Sequence, residues 1–424
     1  MSILADQHTR VLVQGLTGAQ GAQDTRYALD AGTRILCGVT PGKGGALVHG
    51  LPIYHTVAAA VSAHAVTAAV VYAPPLAVRD AVCESLDAGL RLIVVLAENV
   101  PVHDAVAIRA AAQRADAVVV GCNTNGLITP GQCKLGGIGG DLPSRIFVPG
   151  RIGIVSRSGG MSAELGHTLR CAGYGVSTAI SMGGDAVPCT PMVAYLKRFD
   201  QDPDTDAVLL FGEPGTPNER EVAQYLLANP GHKPVIAVLA GEFQERYPRG
   251  ASFGHAAAMI QDPADAVSAK RRMLRDAGAH VVQRLSEIAP ALAGVSVHPI
   301  TNPERNTCPR KILNPRARGS RSSPNCSNGA TRHARWADLK LLRSTRRGDG
   351  SRHASASTCC STRAASERWG ASPERPTTMP MDDSSRYHRS TRSWARAGST
   401  AANWWYRPTI TRYAQVRQKD LCQT

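Results

Sequence analysis

The chain has 424 residues, which is enough for two or three domains with buried cores, and its formal net charge is +15. The 124 residues after Ile300 carry 24 basic and 8 acidic side chains, whereas the first 300 carry 24 basic and 25 acidic ones. The positive net charge therefore comes from the last 124 residues, and the first 300 residues are not a basic domain. The sequence also contains no uninterrupted apolar run of about 18 residues, which excludes a membrane-spanning helix.

The first residues, MSILADQHTR, contain no charged leader followed by an apolar run, so we expect a cytoplasmic protein. Six cysteines precede residue 300 at scattered positions, and none of them forms a C-x-x-C pair. This spacing predicts neither a zinc site nor a disulfide framework, and we expect no metal site. The six side chains are therefore expected to be reduced, small core residues.

Short apolar runs alternate with alanine-rich stretches of helical period over residues 10–127. RVLVQ, RILCGV, AVTAAVVYA, LRLIVVLA and DAVVVG are the expected strands, and VRDAVCESLDAG is one of the expected helices. Apolar strands that alternate with helices are typical of a parallel sheet covered on both faces. We therefore predict a Rossmann-like domain over residues 1–130.

A polar connection rich in Gly and Pro follows, and it predicts a linker over residues 131–150 with a domain boundary near residue 145. The alternation then restarts with RIGIVS, VSTAISMGG, DAVLLFGE, PVIAVLAGE and AHVVQ. We predict a second doubly wound α/β domain over residues 151–298. Ligands of such sheets bind at the carboxyl ends of the strands, where the polar motifs of this chain fall.

The first of these motifs is VQGLTGAQGAQ, in which Gly15, Gly18 and Gly21 open a helix after the first strand. This spacing favours binding of a pyrophosphate at the helix N-terminus, although a tight strand-to-helix turn would need the same glycines. A nicotinamide site would be expected to place an acid after the second strand, and this sequence has Lys43 there instead. A cation suits a ligand with an additional phosphate, such as coenzyme A or NADP, unless Lys43 is simply a solvated lysine.

The second domain contributes three further motifs. RIGIVSRSGG leads from a strand into a helix through small residues, an anion-binding pattern that does not match the P-loop. LLFGEPG brings Glu213 and SFGHAA brings His255, each after a strand. A histidine attacks phosphorus with one ring nitrogen when an acceptor holds the other N–H, so we predict that Glu213 and His255 act together. The alternative is a hydrogen-bonded core or loop histidine.

Residues 299–424 lose this periodicity. Only eight of the 124 residues after Ile300 are Ile, Leu, Val or Phe, which is too little apolar area to offset the entropy of ordering, so we predict a disordered tail. Its arginines would allow sequence-independent binding to nucleic acid. The disorderly mixture of Arg, Ser, Thr, Pro and Trp favours an out-of-frame translation of a GC-rich gene instead, and no nucleic-acid partner is then expected.

A set of motifs occurs in one order along the first 295 residues: QGLTGAQG, GVTPGKGG, GLPIYHTV, ITPGQCKLG, RIGIVSRSGG, GGDAVP, LFGEPG and GHAAAMI. By these motifs, the first 295 residues resemble the α subunit of succinyl-CoA synthetase, the ADP- or GDP-forming succinate–CoA ligase of the tricarboxylic acid cycle. The resemblance implies a CoA-binding Rossmann domain, a flavodoxin-like ligase domain, a phosphohistidine at His255 and its carboxylate partner at Glu213. It also implies a β subunit with an ATP-grasp fold that binds ATP or GTP with Mg²⁺.

The resemblance also identifies binding residues. Phosphate is expected at Ser158, Gly159 and Gly160, and the carboxylic acid substrate at Ala163. The residues at the family's coenzyme A positions are Thr17, Gly18, Ala19, Gln20, Lys43, Leu96, Ala97 and Glu98.

Three motifs depart from the family's usual sequence. SGGMSAE stands where SGTLTYE is usual, so that Ala163 replaces a tyrosine. GCNTNG stands where GPNCPG is usual, and GEPGT stands where GEIGG is usual. Losing a ring and hydroxyl groups enlarges the substrate end of the site, which leaves a malate–CoA or other carboxylate–CoA ligase open. A CoA-binding module without turnover and an NADP-dependent oxidoreductase are the alternatives from other classes.

Overall fold

The computed structural model describes residues 2–251, 253–255, 257–295, 297 and 299, all within the first of the chain's two units, Met1–Ser320. The tail predicted over residues 299–424 therefore lies, apart from residue 299, outside the described residues. Among the helices of the described part, none is long and apolar enough to cross a bilayer.

The first half of the described chain contains seven strands and four α-helices. These elements are β1 Arg10–Gln14, α1 Ala19–Asp30, β2 Arg34–Val39, β3 Leu47–Val48, β4 Leu51–Tyr54, α2 Val57–Ala63, β5 Ala68–Val71, α3 Val78–Asp87, β6 Leu92–Val95, α4 Val102–Arg114 and β7 Val118–Val120. The strands form one sheet in the order β3-β4-β2-β1-β5-β6-β7. They are parallel except for β3, which pairs antiparallel with β4 at one edge. Without β3, the order is the one typical of Rossmann domains, with the reversal between β1 and β5.

The second half of the described chain contributes seven further strands and five α-helices. These elements are β8 Gly126–Thr129, β9 Cys133–Leu135, β10 Pro149–Ser156, α5 Gly159–Cys171, β11 Val176–Ser181, α6 Met192–Gln201, β12 Ala207–Gly212, α7 Asn218–Ala228, β13 Val235–Leu239, α8 Val267–Asp276, β14 His280–Val282 and α9 Ile288–Gly294. The strands form a second sheet in the order β14-β13-β12-β10-β11-β8-β9. Strands β10 to β14 are parallel, and their order is the one typical of flavodoxin, with the reversal between β10 and β12.

The central strands are apolar on both faces because helices cover both faces of each sheet. Every residue of β5, β6, β12 and β13 is buried. A strand buried on both faces cannot alternate apolar with polar residues, which explains why AVLLFG and VIAVL read as continuous apolar runs. The predicted doubly wound arrangement therefore follows from the composition of these strands.

The segment predicted as a linker contains a strand. β8 and β9 form a hairpin that pairs antiparallel with β11, so the second sheet begins at Gly126 and includes Cys133–Leu135. The prediction of a linker over residues 131–150 therefore does not hold for Cys133–Leu135, or for Pro149 and Gly150, which begin β10. Gly and Pro in TPGQ indicated a loop, whereas they form the turn of a short hairpin whose strands are recognisable only by their partners.

Residues near the N-terminus also contact the second sheet. Ser2 Oγ lies 2.8 Å from Thr129 Oγ1 of β8 and 3.1 Å from Thr178 Oγ1 of β11. The hydroxyl of Thr129 donates to the carbonyl oxygen of Ala5 at 2.6 Å. The segment that precedes β1 is therefore hydrogen-bonded to the edge of the other sheet.

Candidate functional site

Four loops of the second sheet meet at one edge because they follow the carboxyl ends of neighbouring parallel strands. The SRSGG turn, residues 156–160, follows β10, and the GGD turn, residues 183–185, follows β11. Glu213 follows β12, and the segment that carries His255 follows β13. Backbone hydrogen bonds join these ends: Arg157 N donates to Phe211 O at 3.2 Å, and Ala240 N donates to Gly212 O at 3.2 Å.

His255 and Glu213 form the pair that the sequence predicted. His255 Nδ1 lies 2.8 Å from Glu213 Oε2, and the side chains are 35% and 12% exposed. A carboxylate only accepts hydrogen bonds, so in the neutral imidazole Nδ1 carries the proton and Nε2 keeps its lone pair. The hydrogen bond to Glu213 raises the pKa of His255 above its ordinary value of 6.5, and burial of the ring opposes that increase.

The backbone around Glu213 is fixed by a buried ion pair. Lys270 Nζ lies 2.5 Å from Glu219 Oε2, and these side chains are 1% and 0% exposed. Lys270 also donates to the carbonyl oxygens of Glu213 and Thr216, at 2.8 and 2.9 Å. Glu219 Oε1 accepts from the backbone N–H of Glu213 at 3.2 Å. Both backbone polar groups of Glu213, its N–H and its carbonyl oxygen, are therefore hydrogen-bonded to this ion pair, which fixes the residue whose carboxylate orients His255.

The GGD turn lies directly against the imidazole of His255. A Cβ atom added to Gly184 would be 3.0 Å from the ring carbon Cγ of His255, so only glycine fits without displacement. Arg157 is 1% exposed and donates to the carbonyl oxygens of Asp185 at 3.3 Å and Gly184 at 3.4 Å. Burial lowers the pKa of Arg157 from its ordinary range and raises that of Asp185, whose carboxylate accepts from Asn123 Nδ2 at 3.0 Å.

The predicted phosphate residues lie at the start of α5. Ser158 is the N-cap, and its hydroxyl accepts from the backbone N–H of Met161 at 3.4 Å. Gly159 and Gly160 are the first two residues of the helix, where backbone N–H groups have no acceptor within the helix. Such amides and the helix dipole favour an anion at this end. Ala163, the predicted substrate residue, is half-buried on the next turn of α5.

The predicted coenzyme A residues lie at the carboxyl edge of the first sheet. Thr17 and Gly18 follow β1, Lys43 follows β2, and the LAE segment, residues 96–98, follows β6. Thr17 Oγ1 donates to Thr40 Oγ1 at 3.3 Å, which joins the loops after β1 and β2. Ala19 and Gln20 begin α1, and the side chains of Gln20, Lys43 and Glu98 are exposed.

Gly15 supports this edge with a conformation that other residues rarely adopt. Its φ is +79°, and an added Cβ atom would lie 2.9 Å from the carbonyl oxygen of Tyr72. Gly21 lets α1 approach the same turn, because a Cβ atom there would lie 2.6 Å from Gly15 O. The glycine spacing therefore allows α1 to pack closely against the turn that follows β1. The start of α1 is exposed, so a ligand can reach its backbone N–H groups.

Sequence reasoning did not identify several residues of the site. Glu219 and Lys270 lie on two different helices, and charged residues of helices are ordinarily assigned to the solvent-exposed face. No local sequence pattern indicates that these two side chains contact each other. Asp185 lies within GGDAVP, a motif of the resemblance, and Asn123 lies within GCNTNG, a motif that departs from the family's usual sequence; neither residue had an assigned role. The cysteines also gave no signal that the buried Sγ atoms of Cys122 and Cys189 lie 4.0 Å apart beside these residues.

Replacing Glu213 with glutamine should lower the pKa of His255, because it removes the negative charge but keeps an acceptor of similar shape. The raised pKa means that the pair stabilises the folded protein below pH 6.5, and that this stabilisation is lost as the pH rises through the folded-state pKa. In the variant, the ¹⁵N chemical shifts of the imidazole should titrate at lower pH than in the wild type. An unchanged titration would contradict the role of Glu213, and Glu242→Gln, at an exposed position, is the control.

Comparison with known proteins gives two family matches. A model described as a CoA binding domain matches residues 6–99, and one described as a succinyl-CoA ligase like flavodoxin domain matches residues 149–294. These matches agree with the two strand orders and confirm the predicted fold class of a CoA-binding Rossmann domain followed by a flavodoxin-like domain.

Individual relatives were also found. The ADP-forming sulfoacetate-CoA ligase subunit SqwL of an Acholeplasma species is 39% identical over 70% of this chain and 99% of its own length. The succinate–CoA ligase [ADP-forming] subunit alpha 1 of Archaeoglobus fulgidus is 41% identical over 68% of this chain and 96% of its own length.

A solved structure of ATP citrate lyase from Methanothrix soehngenii, in complex with citrate and coenzyme A, shares the fold. It has a TM-score of 0.64 and 24% identity; the match covers 83% of this chain and 57% of that one, so this protein spans little more than half of it. The sequence identities with the ligase subunits extend over nearly their whole length and include both domains. The chain therefore belongs to the family of succinate–CoA ligase α subunits.

Proposed function

We propose that this protein is the α subunit of a nucleotide-dependent carboxylate–CoA ligase that carries a phosphoryl group on His255. The observation that supports this function most directly is the hydrogen bond between His255 Nδ1 and Glu213, which leaves Nε2 as a nucleophile at a partly exposed position. A histidine that serves only to pack in the core would not require a partly exposed ring or a carboxylate hydrogen-bonded to Nδ1. The neighbouring start of α5 supplies amides suited to an anion.

The reaction proceeds in three transfers. Nε2 of His255 attacks the γ-phosphorus of ATP or GTP, bound with Mg²⁺ by a β subunit of ATP-grasp fold, and the nucleoside diphosphate leaves. Glu213 stabilises the positive charge that develops on the ring. A carboxylate oxygen of the acid then takes the phosphoryl group and frees the histidine. The sulfur of coenzyme A finally bonds to the acyl carbon as phosphate leaves, and the thiol proton is released to phosphate or water.

Ser158, Gly159 and Gly160 are proposed to hold the phosphoryl group while it is attached to His255. The first amides of α5 give hydrogen bonds without a second charged group, so the phosphoryl group can be passed on rather than trapped. Arg157 adds a buried positive charge behind the GGD turn. The coenzyme A site is proposed at Thr17, Gly18, Ala19, Gln20, Lys43, Leu96, Ala97 and Glu98, where Lys43 would meet a ligand phosphate.

The acid substrate is proposed to be a small carboxylic acid, with succinate first and malate or sulfoacetate as alternatives. Succinate and sulfoacetate ligase subunits resemble this chain to a similar degree, at 41% and 39% identity. Ala163 has a short side chain where the family usually carries a tyrosine, which leaves room for a substituent on the acid. The assignment of the acid therefore depends on measured turnover.

The test is a coupled assay of the α subunit coexpressed with its β subunit, with succinate, malate, sulfoacetate and acetate as separate substrates. We expect release of nucleoside diphosphate that requires both coenzyme A and one of the dicarboxylic or sulfonated acids. Ala163→Tyr should favour succinate over the bulkier malate. Binding of coenzyme A with no turnover on any acid, and no labelling of His255, would support the CoA-binding module instead.

A further inference from the structure

Asn123, in the loop between β7 and β8, contacts both halves of the site. Its backbone N–H donates to Ala97 O of the LAE segment at 2.8 Å, and its side-chain Nδ2 donates to Asp185 Oδ1 at 3.0 Å. Its carbonyl oxygen accepts from Gly184 N at 3.3 Å. One residue thus joins a loop of the first sheet to the GGD turn of the second.

The backbone of Asn123 suits this position. Its φ is +56°, in the left-handed region that asparagine tolerates better than most residues. The loop is also fixed on either side, because Cys189 N donates to Gly121 O at 3.0 Å and the buried hydroxyl of Thr124 donates to Ser181 O. The contacts of Asn123 therefore belong to an anchored loop and have a defined geometry.

The GGD turn transmits this geometry to the histidine. Gly184 lies against the imidazole of His255, and Arg157 binds the carbonyl oxygens of Gly184 and Asp185. The Asp185 carboxylate is half-buried and lies in the electrostatic field of Arg157, Glu98 and His255. A shift of Asp185 would move the turn against which the phosphoryl carrier packs, relative to the segment assigned to coenzyme A.

We propose that Asn123 is a positioning residue for the CoA-dependent half of the reaction, acting through Asp185. It fixes the distance between the LAE segment and the GGD turn, so that the thiol reaches the acyl phosphate formed beside His255. The inference rests on the proposed function. Attack of sulfur on the acyl carbon needs two bound molecules aligned within about 1 Å, whereas phosphorylation of His255 does not involve coenzyme A.

The experiment separates the two half-reactions in the complete αβ enzyme. Asn123→Gly keeps the left-handed backbone and removes the amide that binds Asp185. We expect phosphorylation of His255 by ATP at close to the wild-type rate. Formation of acyl-CoA from the phosphoenzyme, the acid and saturating coenzyme A should fall roughly 100-fold. Asp116→Gly is the matched control, because Asp116 is exposed, has a φ of +49° and lies outside the site.

Asp185→Ala tests the same contact from its other side and serves if Asn123→Gly fails to fold. The two substitutions combined should cost no more than the larger single effect, since each removes the same hydrogen bond. Equal slowing of both half-reactions, unchanged acyl-CoA formation, or additive effects would each overturn the inference. A wild-type enzyme that forms no phosphoenzyme would instead overturn the proposed function on which the inference rests.

Discussion

Replacing His255 with asparagine should abolish phosphoenzyme formation and reduce ligase turnover by at least about 10³-fold. Asparagine has a similar size and can still bond to Glu213, but its amide nitrogen has no lone pair available for attack on phosphorus. The measurement is incorporation of radioactive phosphate from γ-labelled ATP or GTP into the α subunit in the presence of the β subunit. The label should be stable to alkali and labile to acid, as a phosphoramidate is.

The control for this substitution is His103→Asn. His103 is 79% exposed and lies 3.4 Å from Asp104 in the first domain, so it shares a carboxylate neighbour but not the site. It should label like the wild type. Thermal stability of His255→Asn at pH 8 should match the wild type, because His255 is partly exposed and lies in a loop. Persistent labelling of His255→Asn would refute the assignment.

Replacing Lys270 with methionine should destabilise the protein by about 3 to 5 kcal/mol. The substitution leaves Glu219, with no exposed side-chain surface, as a buried charge without its cation. It also removes hydrogen bonds to the carbonyl oxygens of Glu213 and Thr216. We therefore expect Glu213 to hold the His255 ring less firmly, in addition to the loss of stability. The free energy of unfolding is measured by urea denaturation monitored by circular dichroism.

Two further variants separate the effect of burial from that of charge. Lys270→Met combined with Glu219→Leu removes both charges and should recover much of the lost stability, since an apolar pair of similar volume is tolerated. Arg284→Met removes an exposed cation that lies 3.8 Å from Glu287, and it should cost less than about 1 kcal/mol. A loss below about 1 kcal/mol for Lys270→Met would contradict the role of the buried pair.

The buried strands, and the proximity of Glu213 to His255, could be predicted from the sequence for physical reasons. Strands such as VIAVL are apolar throughout because both faces are covered, and that property is visible without a structure. Glu213 and His255 follow consecutive strands of a parallel arrangement, which brings their loops to one edge. His255 Nδ1 lies 2.8 Å from Glu213 Oε2, so the two side chains are hydrogen-bonded, and their joint action on a phosphoryl group stays a prediction.

The supporting residues could not be predicted in the same way. Glu219 and Lys270 are 51 residues apart and lie on different helices, so their contact depends on how α7 and α8 pack. Asn123 joins loops of two sheets whose relative placement no local pattern encodes. Strand β8 was assigned to the first domain and the edge strand β9 to a linker, because such short strands have little apolar signal of their own.

The hairpin and the N-terminal segment also bear on how the protein can be divided. A cut near residue 145, the boundary that the sequence suggested, would give a first fragment that retains Ser2, Thr129 and a β-hairpin without the strand it pairs with. The second fragment would expose the edge of β11, an unpaired strand edge that invites aggregation. Excision of either domain should therefore be designed at Gly121–Gly126, with residues 126–135 kept on the ligase side.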